Sequence, residues 1–197
     1  TQDLLVTIGI RPTEPAIGYG YIQRGEPCGE PGGRTLYNAV RFVEKPDRET
    51  AEGYVASGDY LWNAGMFVWR PEVILKAIAS HAPDLASGIH ELDDAWTEEA
   101  SLDEAMQSVY PTLTKISVDF AVMEKAENVA VLESAFDWDD VGEWPAVARH
   151  LPADQAGNVT RGEVVSLDSQ GNLVLSPKGR LTALLGVKDL IVVETGD

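Results

Sequence analysis

The chain has 197 residues, enough for one medium domain or one domain with a small appendage. A formal net charge of -17 excludes nonspecific nucleic-acid binding, which needs clustered Lys and Arg, and no run of about 20 apolar residues exists to span a membrane. The 44% hydrophobic share, with 5 Trp, supports a packed core, and the single Cys28 excludes an internal disulfide and a zinc cluster and suits the reducing cytoplasm. Leu4 to Ile10 is a continuous apolar run that reads as a buried strand, closed by Arg11-Pro12-Thr13-Glu14-Pro15. Gly18-Tyr19-Gly20-Tyr21-Ile22 reads as a second strand, whose glycines mark either a bulge or a close approach. Gly25 to Gly33 reads as a polar loop, and Leu36 to Glu44 as a strand ending at Lys45-Pro46.

Helical periodicity begins at Asp47, a predicted N-cap, with Ala51, Tyr54 and Val55 on one face and Gly58 as the stop. Tyr60 to Trp69 is apolar and aromatic except for Asn63, whose amide either ties down backbone or meets a polar ligand. Pro71 opens a helix, and amphipathic helices are predicted for Pro83 to Trp96, Leu102 to Val109 and Ser117 to Lys125, the last capped by Ser117. Asn128 to Leu132 is a strand that leads through Phe136 into the acidic turn Asp137-Trp138-Asp139-Asp140-Val141-Gly142-Glu143-Trp144. Two readings of that turn stay open: a carboxylate site at the rim of an open α/β sheet, or a capping box between Asp140 and Glu143.

After His150-Leu151-Pro152 the composition shifts to short apolar runs separated by Gly, Asn, Asp and Pro, the pattern of hairpins or a solenoid. The expected domains are therefore 1–152 and 153–197. Asn158-Val159-Thr160 matches a glycosylation acceptor but is discounted, since nothing marks the chain as secreted. The chain opens in mid-strand and ends at Thr195-Gly196-Asp197 without closure, so a larger protein is expected.

Five stretches together resemble one family in its own order: Gly18 to Ile22, Phe42-Val43-Glu44-Lys45-Pro46, Tyr60 to Trp69, Ser117 to Lys125 and Phe136 to Trp144. The chain is similar to the later part of the bacterial mannose-1-phosphate guanylyltransferases, or GDP-mannose pyrophosphorylases, of the sugar nucleotidyltransferase superfamily. The resemblance implies the second half of a Rossmann-like mixed α/β sheet with flanking helices, followed by a small β-helix-like segment. It implies transfer of GMP from GTP to mannose 1-phosphate on a Mg2+-dependent site. The family's glycine-rich triphosphate loop, with its Arg and Lys, and its second metal-binding aspartate do not occur here, so the isolated chain is expected to lack catalytic competence.

On the same footing, Lys45 is the implied cation for the sugar phosphate, and Glu44 accepts from sugar hydroxyls. Gly20 lets the sugar approach the backbone, Asn63 reads hexose hydroxyls, Asp119 positions one of these with no contact assigned, and Asp140 is the Mg2+ ligand, with Asp139 and Asp137 as runners-up. Residues of a strand alternate faces, so Glu44 and Lys45 reach one ligand only if the chain turns at Pro46. The other readings are a surface Glu-Lys pair, a sugar-phosphate-binding module without chemistry, a transferase for another hexose 1-phosphate, and a homodimer formed through strand edges of residues 157–197.

Overall fold

The opening apolar run forms strand β1 (Leu5–Ile10), whose side chains alternate between buried and half-buried, as expected of a strand covered on both faces. In the computed structural model, which describes residues 3–96 and 101–195, the chain forms two compact units, Thr1–Trp138 and Asp139–Asp197. Gly196 and Asp197, where the sequence reading finds no closure, lie outside the described residues.

The first unit builds its sheet from β1, β2 (Tyr21–Gly29), β3 (Leu36–Val43), β4 (Tyr60–Val68) and β5 (Val129–Glu133) in the order β1-β4-β2-β3-β5. The sheet is mixed, since β1 and β5 run parallel while every other pair is antiparallel. It is also closed rather than open, because Leu36, Tyr37 and Asn38 of β3 pair with Leu132, Val131 and Ala130 of β5. The bend comes from the β2–β3 ribbon, whose register shifts between Gln23 and Arg24, Arg24 and Pro27, and Pro27 and Gly29. Such bulges increase local twist and curl a ribbon.

Two elements differ from the sequence reading. Strand β2 starts at Tyr21 rather than Gly18 and continues to Gly29, into the stretch read as a polar loop. Pro27 is tolerated there because it sits at a bulge, where a missing N–H costs no regular ladder bond. The segment read as a helix over Ser117 to Lys125 is a single π-helical turn, Asp119–Met123, with no side-chain cap. Ser117 contributes only its carbonyl, which accepts from Ala121 N at 2.9 Å. Three successive residues of this turn, Ala121, Val122 and Met123, are buried.

The helices follow their predicted starts. Helix α1 (Arg48–Ser57) is capped by Asp47, whose carboxylate accepts from Thr50 N at 2.8 Å, and ends at Gly58 in the left-handed conformation, φ 73°. Pro71 opens α2 (Pro71–His81) and Pro83 opens α3 (Pro83–Ala95). A capping box of Ser101 and Glu104 starts α4 (Leu102–Val109).

The two-residue period of the strands then divides the core. Ile22 and Leu61 join Leu5, Phe42, Val73, Val122 and Val131, whereas their neighbours Tyr21 and Trp62 face the other way, onto Ile10 and Ala51 of α1. The first cluster fixes the sheet under the π-helical turn, and so fixes where Asp119 stands.

The second unit comprises α5 (Trp144–Arg149), β6 (Val159–Arg161), β7 (Glu163–Leu167), β8 (Leu173–Leu175), β9 (Leu181–Leu185) and β10 (Ile191–Val193). Strands β6, β8 and β10 pair in parallel, as do β7 and β9, so this segment is a solenoid and not a set of hairpins. Asn172 stitches its rungs: its Nδ2 donates to Asn158 Oδ1 at 2.8 Å and its Oδ1 accepts from Leu190 N at 3.0 Å. Asn158 is 2% exposed and donates to Asp154 and to Ser169 O, so this amide serves the fold and is closed to glycosylation.

Candidate functional site

Four of the residues singled out from the sequence meet at one place in the first unit. Asn63 on β4 donates its backbone N–H to Gly20 O at 2.8 Å, which sets Gly20 beside it just before β2 begins. Gly20 is needed as glycine, since a Cβ there would collide with the Glu44 carboxylate and crowd Asn63. Glu44 follows the last residue of β3, and its Oε1 stands 3.5 Å from Lys45 Nζ.

The alternation that would send Glu44 and Lys45 to opposite faces is broken at Lys45 itself, which takes a left-handed backbone, φ 47°. The turn precedes Pro46, whose ring disfavours the right-handed helical region for the residue before it. Glu44 is 13% exposed and Lys45 64% exposed, so the carboxylate forms the floor and the ammonium the rim.

The polar network beneath this floor was not legible in the sequence. Buried Thr7 donates through Oγ1 to Asn63 Oδ1 at 3.1 Å, and Gly65 N donates to the same oxygen at 3.2 Å. Asn63 Nδ2 donates to Asp119 Oδ1 at 3.1 Å, across 56 residues of sequence. Asp119 lies in the family-resembling stretch Ser117 to Lys125, beside the apolar run Phe120-Ala121-Val122-Met123, and only the fold supplies its partner.

Burial raises the Glu44 pKa above the ordinary carboxyl range, and the Asp119 carboxylate adds to the effect while Lys45 opposes it. Glu124 closes the rear by accepting from Glu44 N at 3.1 Å. The result is a surface of carboxylate acceptors and amide donors with one exposed cation at its edge, a set suited to a polyhydroxylated anion.

A second cluster lies at the ends of β1 and β5. Glu133 holds Arg11, through Nη2 at 2.6 Å, and Arg24, through Nη1 at 3.0 Å. Arg11 and Glu133, with Trp62, Phe136, Asp137 and Trp138, line a cleft of about 490 Å³. No motif pointed to Glu133, because its partners lie in other strands and loops.

The acidic turn departs from its capping-box reading. Helix α5 starts at Trp144 with Glu143 as N-cap and without a side-chain cap bond, so Asp140 and Glu143 form no capping box. The physical reason is Pro145. A cap at Asp140 would place this proline inside the helix, where it removes a hydrogen bond and clashes with the preceding turn, whereas a start at Trp144 puts it in the first turn.

Asp139 is committed elsewhere: Arg149 Nε and Nη2 donate to its two oxygens at 3.0 and 2.7 Å, and His150 Nε2 lies 2.8 Å away. The Arg149 hydrogen bond is the main cause that lowers the Asp139 pKa. Asp140, in the second unit, is exposed and has no hydrogen bond or ion pair to any described residue.

A lone hard-oxygen donor of this kind fits Mg2+, which takes one or two carboxylates and completes its shell with phosphate oxygens and water. Among the described residues no group of three or more His, Cys, Asp or Glu side chains could hold a metal by itself.

A mixed α/β sheet with flanking helices, followed by a parallel β-solenoid, defines the class as a nucleotidyltransferase fold with an appended β-helix. The family model described as Nucleotidyl transferase matches residues 1–156, and the chain belongs to that family. A second, described as MannoseP isomerase/GMP-like beta-helix domain, matches residues 162–197.

Among curated relatives, a mannose-1-phosphate guanylyltransferase of Klebsiella pneumoniae is 39% identical over 98% of this chain and 41% of its own length. Xanthan biosynthesis protein XanB of Xanthomonas campestris is 36% identical over 100% of this chain and 40% of its own length. The chain thus spans about two-fifths of these relatives. A solved structure from Thermus thermophilus, described as a mannose-1-phosphate geranyltransferase, is 37% identical with a TM-score of 0.77, covering 100% of this chain and 55% of that one.

Proposed function

We propose that this chain supplies the sugar-phosphate side of an enzyme that transfers GMP from GTP to mannose 1-phosphate, giving GDP-mannose and pyrophosphate. The observation that carries the reading is the convergence of Gly20, Glu44, Lys45 and Asn63, from separate stretches of the sequence, on one surface. The names of the relatives supply the substrates.

In this reading an oxygen of the sugar phosphate attacks the α-phosphorus of GTP, and the bond from that phosphorus to the β-phosphate oxygen breaks. The nucleophile is already anionic at neutral pH, so no general base is required, and placement and charge neutralisation dominate. Lys45 Nζ leaves its pairing with Glu44 to take the phosphate, and Glu44, relieved of its cation, accepts from sugar hydroxyls. Gly20 leaves room for the ring over the backbone. Asp140 is the proposed ligand for Mg2+, which when bound neutralises phosphate charge.

Relatives extend well beyond the matched region, and we place the nucleotide contacts there. The isolated chain is then a binder and not a catalyst. The test is pyrophosphate release from GTP and mannose 1-phosphate by the Klebsiella enzyme with residues 1–197 substituted for its matching segment. Turnover is expected, and Lys45→Ala in that chimera should reduce kcat/KM by about 100-fold. Turnover unchanged by Lys45→Ala would reject the assignment.

A cytoplasmic homodimer completes the proposal. Strands β7 and β9 present Val165, Leu167, Leu181 and Leu185 to solvent on one face, an apolar surface suited to a second copy. Leu181→Asp should shift light scattering from dimer to monomer, and a monomer at all concentrations without the substitution would reject this part.

A further inference from the structure

The amide of Asn63 is the one polar group of the floor whose orientation the surrounding chain dictates completely. Gly65 N–H can only donate, so the Asn63 atom facing it at 3.2 Å must be the carbonyl oxygen. An ionised Asp119 can only accept, so the atom facing it at 3.1 Å must be the nitrogen. A flipped amide would set N–H against N–H on one side and C=O against carboxylate on the other. With Thr7 Oγ1 also donating to Asn63 Oδ1, the oxygen is saturated. The nitrogen keeps one hydrogen that no described residue accepts.

We propose that Asp119 is a positioning residue, which locks Asn63 as a hydrogen-bond donor toward a hydroxyl or phosphate oxygen of the bound sugar phosphate. The proposal rests on the reading of this surface as a sugar-phosphate site. It restricts what the site recognises: Asn63 offers no acceptor, and acceptance from sugar hydroxyls falls to Glu44 and the second oxygen of Asp119. Asp119 stands on a π-helical turn whose Ala121, Val122 and Met123 are anchored in the core, so the lock is rigid.

The test uses the 197-residue chain, calorimetric titration with mannose 1-phosphate, and thermal unfolding. Asp119→Ala removes the acceptor and is expected to weaken binding roughly tenfold or more, the scale of one charge-assisted hydrogen bond. It also lowers Tm, so loss of binding alone does not separate positioning from folding.

The exchanged pair Asn63→Asp with Asp119→Asn separates them. The carboxylate at position 63 still accepts from Thr7 and Gly65 and now accepts from the amide at 119, so Tm recovers, but the free donor at 63 is gone. Recovered Tm with affinity still down at least about tenfold supports the proposal. Recovery of both, or a Tm that stays low, overturns it, as does unchanged affinity in Asp119→Ala. If the unsubstituted chain shows no binding of mannose 1-phosphate, the functional reading itself fails and the inference falls with it.

Discussion

Glu44 is held in a state that works against the stability of the fold. Burial and the Asp119 carboxylate raise its pKa, so between its unfolded and folded values the native chain binds more protons than the unfolded one. Its contribution to stability is therefore full below the unfolded carboxyl pKa and is lost as pH rises through the folded value. Glu44→Gln should raise Tm at neutral pH while weakening sugar-phosphate binding, and the difference in Tm should vanish at acid pH. Equal Tm at both pH values would show that the cluster is solvated and not a site.

Lys45, Glu44, Gly20 and Asn63 drew attention as a cation before proline, glycines at a strand start and an amide in an apolar run, but only the family resemblance of those stretches implies a site rather than a surface pair, a bulge and a backbone tie. For Asp119 the resemblance gave a positioning role without a contact, because its partner lies 56 residues away and only the fold joins them.

At the scale of elements, local signals fixed what they physically control. Asp47, Gly58, Pro71 and Pro83 placed helix ends correctly because caps and proline act within one turn. Strand β2 was misread over Gly25 to Gly29 because its pairing with Tyr37 and Leu36 of β3 overrides the poor strand propensity of Gly, Glu and Pro.

The Asp140–Glu143 spacing matched a capping box, but Pro145 moved the helix start. Arg149 and His150 both meet Asp139, and Arg149→Ala should cost about 1 kcal/mol, since the pair is half-exposed but bidentate. Within the solenoid the larger dependence is on Asn172, 1% exposed. Asn172→Ala leaves Leu190 N–H without its partner, while Asn158 Oδ1 keeps the backbone N–H of residue 172, and should cost about 1–3 kcal/mol in urea unfolding. A loss below about 0.5 kcal/mol would mean that water replaces the amide.

For the molecule as a whole, hydrophobic period and turn residues anticipated the strands, the helices and a β-rich tail, while the mixed sheet was implied by the family resemblance. Closure of the sheet was not anticipated, because it depends on register shifts in β2 and β3 that no periodicity encodes. The solenoid was left open against hairpins, since short apolar runs have the same pattern in both, and parallel pairing decides it.

The central claim is that the surface built by Gly20, Glu44, Lys45 and Asn63 holds a hexose 1-phosphate. Its most direct test is a ³¹P NMR titration of mannose 1-phosphate with the chain and with Lys45→Ala. The account predicts a saturable phosphorus shift for the unsubstituted chain and at least about tenfold weaker saturation for Lys45→Ala, the loss expected for a charge-assisted contact. A phosphorus resonance that does not move, or that moves equally with both proteins, would contradict it.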